Sequence, residues 1–293
     1  MSDKRELTIR VAAVQMEPVV GKKEKNVKRG IEFINEAADN NAKLVVLPEL
    51  SNSGYTFETR KEAFSLAEPI PGGDTTNKWI ETAREREVYI SSGIAEIDED
   101  KLYNSCILVG PDGYIGKFRK VHLWHNEKMF FEPGNLGYPV YYTPIGRIAM
   151  VNCYDNWFPE SWRLCALNGA DIVCNNTNWI PIVGQPENLY PMANYLCMTG
   201  AHSNSIFVVA ACRIGTERGQ PFIGHSIIVN QLGWPIAGPA SGDKEEILYA
   251  DCNISDARRG KTWSELNAPL RDRRTDYYDE MLGTQEKPSP YSW

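Results

Sequence analysis

The chain has 293 residues, 42% hydrophobic and 24% charged, which is the composition of an average globular protein and excludes a disordered or fibrous one. Its net charge of -7 disfavours binding to nucleic acid, and its apolar runs fall well short of the roughly 18–20 residues that span a bilayer. The 7 cysteines form no CxxC pair or Cys/His cluster, and residues 1–10 lack the apolar core of a signal peptide, so we expect a reduced, cytoplasmic protein without a metal site.

The first half of the chain alternates strand and helix patterns. Apolar side chains at 27, 31, 34 and 38 share one helical face, and the run 44–47 is typical of a strand buried on both faces. Turn-forming residues at 110–113 indicate a hairpin. The predicted elements are a strand at 8–16, a helix at 25–41, a strand at 44–47, a helix at 77–87, a strand at 88–97, and a hairpin with strands at 104–109 and 114–119.

The second half repeats this order. Its predicted elements are a strand at 146–152, a helix at 159–167, a strand at 171–175, a helix whose apolar face carries Leu189, Met192, Ala193 and Leu196, a strand at 206–211, and a hairpin with strands at 225–230 and 234–237. The repetition predicts a pseudo-duplicated α/β protein in which two similar sheets pack together with helices outside. We assign residues 1–257 to one domain and residues 258–293 to a charged C-terminal extension, which either packs on a partner subunit or is a loose tail.

Two reactive residue types follow predicted strands, one in each half. Glu49 follows the strand at 44–47, and Cys153 follows the strand at 146–152. Ligand sites of α/β proteins gather at the carboxyl ends of strands. An apolar environment would raise the pKa of Glu49 towards neutrality, and backbone N–H groups at a strand-to-helix turn would favour a thiolate.

A third candidate, Lys120, ends the hairpin of the first half. Taken singly, each of these residues has an ordinary structural explanation: a buried core cysteine, a solvated loop carboxylate and a surface cation. The functional interpretation therefore depends on finding all three together.

The combination of motifs resembles the nitrilase superfamily of carbon–nitrogen hydrolases. The resemblance lies in Pro48-Glu49 with Gly54-Tyr55, in Arg119-Lys120-Val121-His122-Leu123, and in Cys153-Tyr154-Asp155 with Phe158-Pro159-Glu160. Glu127 with Phe131 and Pro133-Gly134, Thr177-Asn178-Trp179, and Gly224-His225-Ser226 extend it, so that it runs from about residue 9 to residue 253. It implies a four-layer α-β-β-α sandwich and a homodimer or larger homo-oligomer, with no metal or organic cofactor.

The resemblance also implies catalytic roles. Cys153 would be the nucleophile and Glu49 the general base and acid. Lys120, with the backbone N–H of Tyr154, would stabilise the oxyanion, and Glu127 would orient Lys120 or the substrate nitrogen.

The substrate would be a small molecule with a linear amide or N-carbamoyl group, cleaved through a cysteine thioester with release of ammonia. Tyr154-Asp155 follows the cysteine where nitrilases tend to carry Trp-Glu, which favours the amidase or carbamoylase branch. Tyr55, Tyr154, Asn178 and Trp179 are the candidate substrate-binding residues, and an aromatic pocket would accept an apolar or cationic substrate. A nitrilase acting on a small nitrile and a non-catalytic binding protein of the same fold are the alternatives.

Overall fold

The computed structural model describes residues 6–278. The first half of this range contains β1 (Thr8–Gln15), α1 (Lys23–Asp39), β2 (Leu44–Val46), α2 (Arg60–Leu66), α3 (Asp74–Arg86), β3 (Tyr89–Asp98), β4 (Lys101–Gly110) and β5 (Gly113–Arg119). The second half contains β6 (Val140–Thr143), β7 (Gly146–Asn152), α4 (Pro159–Leu167), β8 (Ile172–Thr177), α5 (Met192–Asn204), β9 (Phe207–Cys212), β10 (Thr216–Glu217), β11 (Gln220–Pro221), β12 (Ile227–Val229) and β13 (Pro235–Ala237). The chain continues through β14 (Glu246–Asn253), α6 (Ile254–Arg259) and α7 (Thr275–Tyr278), and short 3-10 helices lie at His125–Met129 and Cys153–Trp157.

Two mixed sheets of six strands form the centre of the molecule. Their strand orders are β14-β1-β2-β3-β4-β5 and β13-β12-β9-β8-β7-β6. In each sheet three adjacent strands are parallel, β1-β2-β3 in one and β9-β8-β7 in the other, and every other strand pairs antiparallel with its neighbour. The predicted fold, a four-layer α-β-β-α sandwich of two similar sheets, is confirmed.

The alternation of side chains along the strands separates three apolar layers. Val11 and Ala13 of β1 pack between the sheets with Ile148 and Met150 of β7. The intervening Ala12 and Val14 point to the opposite face, where they pack with residues of α1 and α3. The second sheet packs against α4 and α5 in the same way. Because both faces of these strands are covered, β1 and β7 contain continuous apolar runs at 11–14 and 148–151.

Each sheet has one strand more than the sequence patterns predicted. β6 pairs with β7, and β14 pairs with β1 along its whole length, so that the last strand of the chain completes the first sheet. The helix α2 was also not predicted, and α5 begins at Met192 and excludes Leu189. Most residues of β6 and β14 are partly buried, and their weak apolar pattern explains why they were missed.

The region around the boundary at residue 257 is ordered and packed on the domain. Ala257 is buried, and the guanidinium of Arg258 lies 2.8 Å from the buried carboxylate of Asp171. Residues 279–293 of the proposed extension lie outside the described part of the chain, so its packing on a partner stays a prediction. Within residues 6–278, no helix has the length and apolar character that crossing a membrane requires.

Candidate active site

Four separate elements bring the predicted catalytic side chains to one end of the sandwich. Glu49 lies three residues beyond β2, Lys120 directly follows β5, and Cys153 directly follows β7. Glu127 lies in the 3-10 helix His125–Met129. All four are buried, with exposed fractions of 0% for Glu49, 1% for Lys120, 4% for Glu127 and 8% for Cys153. Burying three charged side chains costs free energy unless they form ion pairs or hydrogen bonds with one another.

The buried ammonium of Lys120 joins the two carboxylates. Its Nζ donates to Oε1 of Glu49 at 2.8 Å and to Oε1 of Glu127 at 2.7 Å. Although burial opposes its charge, the neighbouring carboxylates of Glu127 and Glu49 raise the pKa of Lys120 well above its ordinary value. Lys120 is therefore a fixed cation over the whole physiological pH range.

The Glu49 carboxyl group has the proton affinity of a base that works near neutrality. Burial raises its pKa to about 7, against the opposing effect of Lys120 and of a hydrogen bond from Asn104. Asn104 Nδ2 donates to Oε1 of Glu49 at 2.6 Å. Among the described residues no donor reaches the second oxygen, Oε2, which is fully buried. Oε2 is thus the oxygen with which Glu49 can accept a proton.

Cys153 stands in a strained conformation at the sharp turn after β7. Its φ of 47° lies in the left-handed region, which a non-glycine residue adopts at a cost of about 1–3 kcal/mol. Burial and the nearby Glu49 carboxylate raise the pKa of the thiol well above its ordinary value, and Lys120 offsets this only in part. The thiol is therefore protonated at rest, and a nucleophilic thiolate requires a base beside it.

Residues from both sheets hold the backbone of Glu49 in place. Asn178 Nδ2 donates to the Glu49 carbonyl oxygen at 3.0 Å. On the other side, Gly93 of β3 lies so close that an added Cβ would be 2.3 Å from the backbone nitrogen of Leu50 and 2.5 Å from Cα of Glu49. Only a glycine fits there, because any side chain would displace the segment that carries Glu49.

Tyr55 is tied to the same group of residues. Its hydroxyl donates to Oε1 of Glu127 at 2.5 Å. Its backbone N–H donates at 2.8 Å to the buried carboxylate of Glu217, which also accepts from the backbone of Thr56 and pairs with Arg213 at 3.1 Å. Glu217, from the small β10–β11 hairpin, thereby anchors the loop that presents Tyr55 to Glu127.

A cavity of about 430 Å³ opens beside Cys153. Aromatic and aliphatic side chains form most of its wall, and none of its lining residues carries a charged side chain. The lining residues are Tyr55, Trp124, Cys153, Tyr154, Trp157, Asn178, Trp179, Ile180, Pro181, Ile182 and Val183. Its size is that of a pocket for a small organic molecule.

The structure brings most of the predicted site residues together. Glu49, Lys120 and Glu127 are in direct contact, the Cys153 thiol lies within their electrostatic influence, and Tyr55 bonds to Glu127. Tyr154, Asn178 and Trp179 line the cavity, although the side-chain nitrogen of Asn178 is bound to the Glu49 backbone. Within residues 6–278, no group of three or more His, Cys, Asp or Glu side chains is arranged to hold a metal ion.

The sequence patterns missed two residues that position the site. Asn104 is a fully buried polar residue within the predicted strand at 104–109, and a polar residue inside a mostly apolar strand was the signal available for it. Glu217 lies in a polar turn region between two predicted strands, where local sequence offers no such signal.

Comparisons with known proteins agree on one family. A family model described as carbon–nitrogen hydrolase matches residues 10–262. The chain is 41% identical over 270 residues to a protein of Pyrococcus abyssi named nitrilase, covering 92% of this chain and 99% of the relative. It is 32% identical over 277 residues to an N-carbamoylputrescine amidase of Solanum lycopersicum, covering 88% and 89%. The crystal structure of a carbon–nitrogen hydrolase from Helicobacter pylori matches with a TM-score of 0.82 and 25% identity, covering 94% and 99%.

Proposed function

This chain belongs to the carbon–nitrogen hydrolases of the nitrilase superfamily, and on that premise we propose that it cleaves a linear amide or N-carbamoyl amine at Cys153 with release of ammonia. The observation that carries the proposal is the buried ion pair of Lys120 with Glu49, whose free oxygen is available to take the proton of the neighbouring thiol. The cavity beside the thiol supplies room for a small substrate.

In the first half of the reaction, Glu49 accepts the proton of the Cys153 thiol as the sulfur attacks the carbonyl carbon. The carbonyl π electrons move to its oxygen, and the ammonium of Lys120, with the backbone N–H of Tyr154, stabilises the resulting oxyanion. The intermediate then collapses: the carbon–nitrogen bond breaks, and Glu49 delivers its proton to the leaving nitrogen. Ammonia departs, and the acyl group remains on Cys153 as a thioester.

In the second half, Glu49 removes a proton from water as the water oxygen attacks the thioester carbon. The carbon–sulfur bond breaks, the acid is released, and the proton on Glu49 returns to the thiolate. Glu127 acts through Lys120: together with Glu49 it fixes the position of the ammonium, which must be in place before the oxyanion forms.

The test is ammonia release from a panel of amides and N-carbamoyl amines. We expect Cys153→Ala to abolish turnover and intact-mass measurement of the wild type to detect an acyl adduct on Cys153. Cys252→Ala, which removes a buried thiol of β14, is the matched control and should retain activity. Substantial hydrolysis by Cys153→Ala would refute the covalent mechanism.

A nitrile substrate is the second candidate, because the relative in Pyrococcus abyssi is named a nitrilase. The same thiol would add to the nitrile carbon, and two waters would be consumed before the acid is released. Matched amide and nitrile pairs decide between the two: faster turnover of the nitrile would overturn our choice of the amidase branch. If the protein turns over neither substrate but its Cys153 thiol still reacts with a thiol reagent, the chain is a binding protein of this fold.

We also propose that the chain acts in the cytoplasm as a homodimer or larger homo-oligomer, with the C-terminal extension packed on a partner. Exposed apolar residues on two neighbouring helices, Leu164 and Leu167 of α4 and Met192 of α5, support an interface. Light scattering of the full chain and of a truncation after Gly283 tests the extension. An unchanged particle size would contradict its role in assembly.

A further inference from the structure

We propose that the cavity beside Cys153 selects an acyl group that is apolar and uncharged, and that it discriminates against acyl groups ending in a carboxylate or an ammonium. The inference rests on the proposed hydrolysis and specifies which amides serve as substrates. In that reaction ammonia leaves and the acyl group stays on sulfur. The space next to Sγ must therefore accommodate the acyl group through both halves of the reaction.

The lining of the cavity contains no charged side chain that could pair with a charged substrate. Tyr154 lines the cavity, with its ring 4.8 Å from that of Trp124 and 6.1 Å from that of Trp157. Trp179 adds another aromatic ring, and residues 180–183 add aliphatic side chains. The one amide side chain in the lining, that of Asn178, donates from its nitrogen to the Glu49 backbone. Among the described residues, Asn178 Oδ1 and Trp179 Nε1 have no partner, but both belong to neutral groups and do not compensate a full charge.

Within residues 6–278, the cations Lys120 and Arg218 are both already paired and are not free to bind a substrate carboxylate. Lys120 is held between two carboxylates. Arg218, which lines the adjoining cavity beyond Tyr55, makes two hydrogen bonds of 2.8 and 2.7 Å to the carboxylate of Glu62. A carboxylate placed in the cavity would therefore lose its hydration without gaining an ionic partner.

Neither Glu127 nor Glu49 is available to pair with a substrate ammonium. The Glu127 carboxylate already accepts hydrogen bonds from Lys120, Tyr55 and the backbone N–H of Trp124. Glu49 Oε2 is free, but it lies at the reacting centre, where the scissile amide itself must bind. The aromatic rings can attract a cation, yet this attraction is weaker than the hydration that a buried ammonium gives up.

The mouth of the cavity is also apolar. Ile182 is 42% exposed and Val183 is fully exposed to solvent. A longer hydrocarbon chain that extends from Sγ past Tyr154 would cover these side chains and remove additional apolar surface from water. We therefore expect catalytic efficiency to rise from acetamide to pentanamide.

The experiment compares three amides with the same five-carbon acyl chain: pentanamide, glutaramate, which ends in a carboxylate, and 5-aminopentanamide, which ends in an ammonium. We expect kcat/KM for ammonia release at pH 7.5 to be at least about tenfold higher for pentanamide than for either charged amide. Equal or higher efficiency with glutaramate or 5-aminopentanamide would overturn the inference.

Charge placed at the mouth provides a second test. Ile182→Arg introduces a cation into the lining, and Leu232→Arg introduces the same charge at an exposed position outside it. We expect Ile182→Arg to shift the ratio of kcat/KM values towards glutaramate by at least about fivefold, and Leu232→Arg to leave the ratio unchanged. Equal shifts in both variants would contradict a selective cavity.

Failure of the inference and failure of the proposed function are distinguishable. If ammonia is released but a charged amide is preferred, the hydrolase proposal stands and the apolar selectivity is wrong. If neither amides nor N-carbamoyl amines release ammonia and Cys153 acquires no acyl group, the proposed function is wrong, and the inference fails with it.

Discussion

The hydrogen bond from Asn104 to Glu49 helps to set the pH at which the proposed base becomes active, alongside the larger effects of burial and of Lys120. Asn104 Nδ2 donates to Oε1 of Glu49 at 2.6 Å in a fully buried environment and thereby favours the carboxylate form. Asn104→Ala removes this donor. The pKa of Glu49, already about 7, should then rise, because the burial that opposes the charge remains while one of the contacts that stabilise it is lost.

The size of the effect follows from the strength of a hydrogen bond to a charged group, about 1.5–3 kcal/mol. At 1.36 kcal/mol per pH unit, this loss corresponds to a rise of about one to two pH units in the pKa of Glu49. The base must be ionised to accept the thiol proton, so the acid limb of the kcat/KM profile should move from near pH 7 to about pH 8–9. At pH 7 the variant should be at least about tenfold slower than the wild type, and it should recover as the pH rises.

The assay is ammonia release between pH 5.5 and 10, with the acid limb fitted for each protein. Asn204→Ala is the control, because Asn204 is a buried asparagine whose hydrogen bonds, to Gly200 and Ser203, lie within α5. Its profile should coincide with that of the wild type. If Asn104→Ala lowers activity equally at every pH without moving the acid limb, Glu49 does not act as the base through this contact.

Three further variants test the positioning of the site. Lys120→Ala leaves two buried carboxylates without their cation and should lower the free energy of unfolding in urea by about 3–5 kcal/mol at pH 8. The loss should be smaller at pH 5, where a carboxylate can take up a proton. An equal loss at both pH values would contradict the electrostatic explanation. Glu217→Gln weakens the hydrogen bonds that anchor the Tyr55 loop and should lower kcat/KM about tenfold, as Tyr55→Phe should. If the double variant is no less active than either single variant, the two residues act through the same contact. Gly93→Ala places a Cβ 2.3 Å from the Leu50 nitrogen, so it should lower the free energy of unfolding by about 1–3 kcal/mol and also reduce kcat. An unchanged kcat would show that the segment adapts without moving Glu49.

The chemistry of the site was predicted from the resemblance of several motifs taken together, and the local patterns indicated where three of the reactive residues lie. An apolar strand precedes both Glu49 and Cys153, and a hairpin strand precedes Lys120. Once the strands are recognised, their carboxyl ends are expected at one edge of the sandwich. The helix Pro159–Leu167 was predicted to the residue, since Pro159 suits its first turn and Gly169 follows its end.

Contacts between residues far apart in the sequence determined the remaining features of the fold and of the site. No local pattern indicates that β14 pairs with β1, more than 200 residues earlier, because its partly buried residues carry a weak periodicity. The same holds for the contact of Asn104 with Glu49, 55 residues apart, and of Glu217 with Tyr55, 162 residues apart. Local periodicity records only which face of an element is buried, so the sequence by itself indicated five of the six strands of each main sheet, and the resemblance of its motifs indicated the reactive side chains. Which polar groups meet in the interior, and hence how the proton affinity of Glu49 is adjusted, depends on packing between distant segments and emerged only from the tertiary structure.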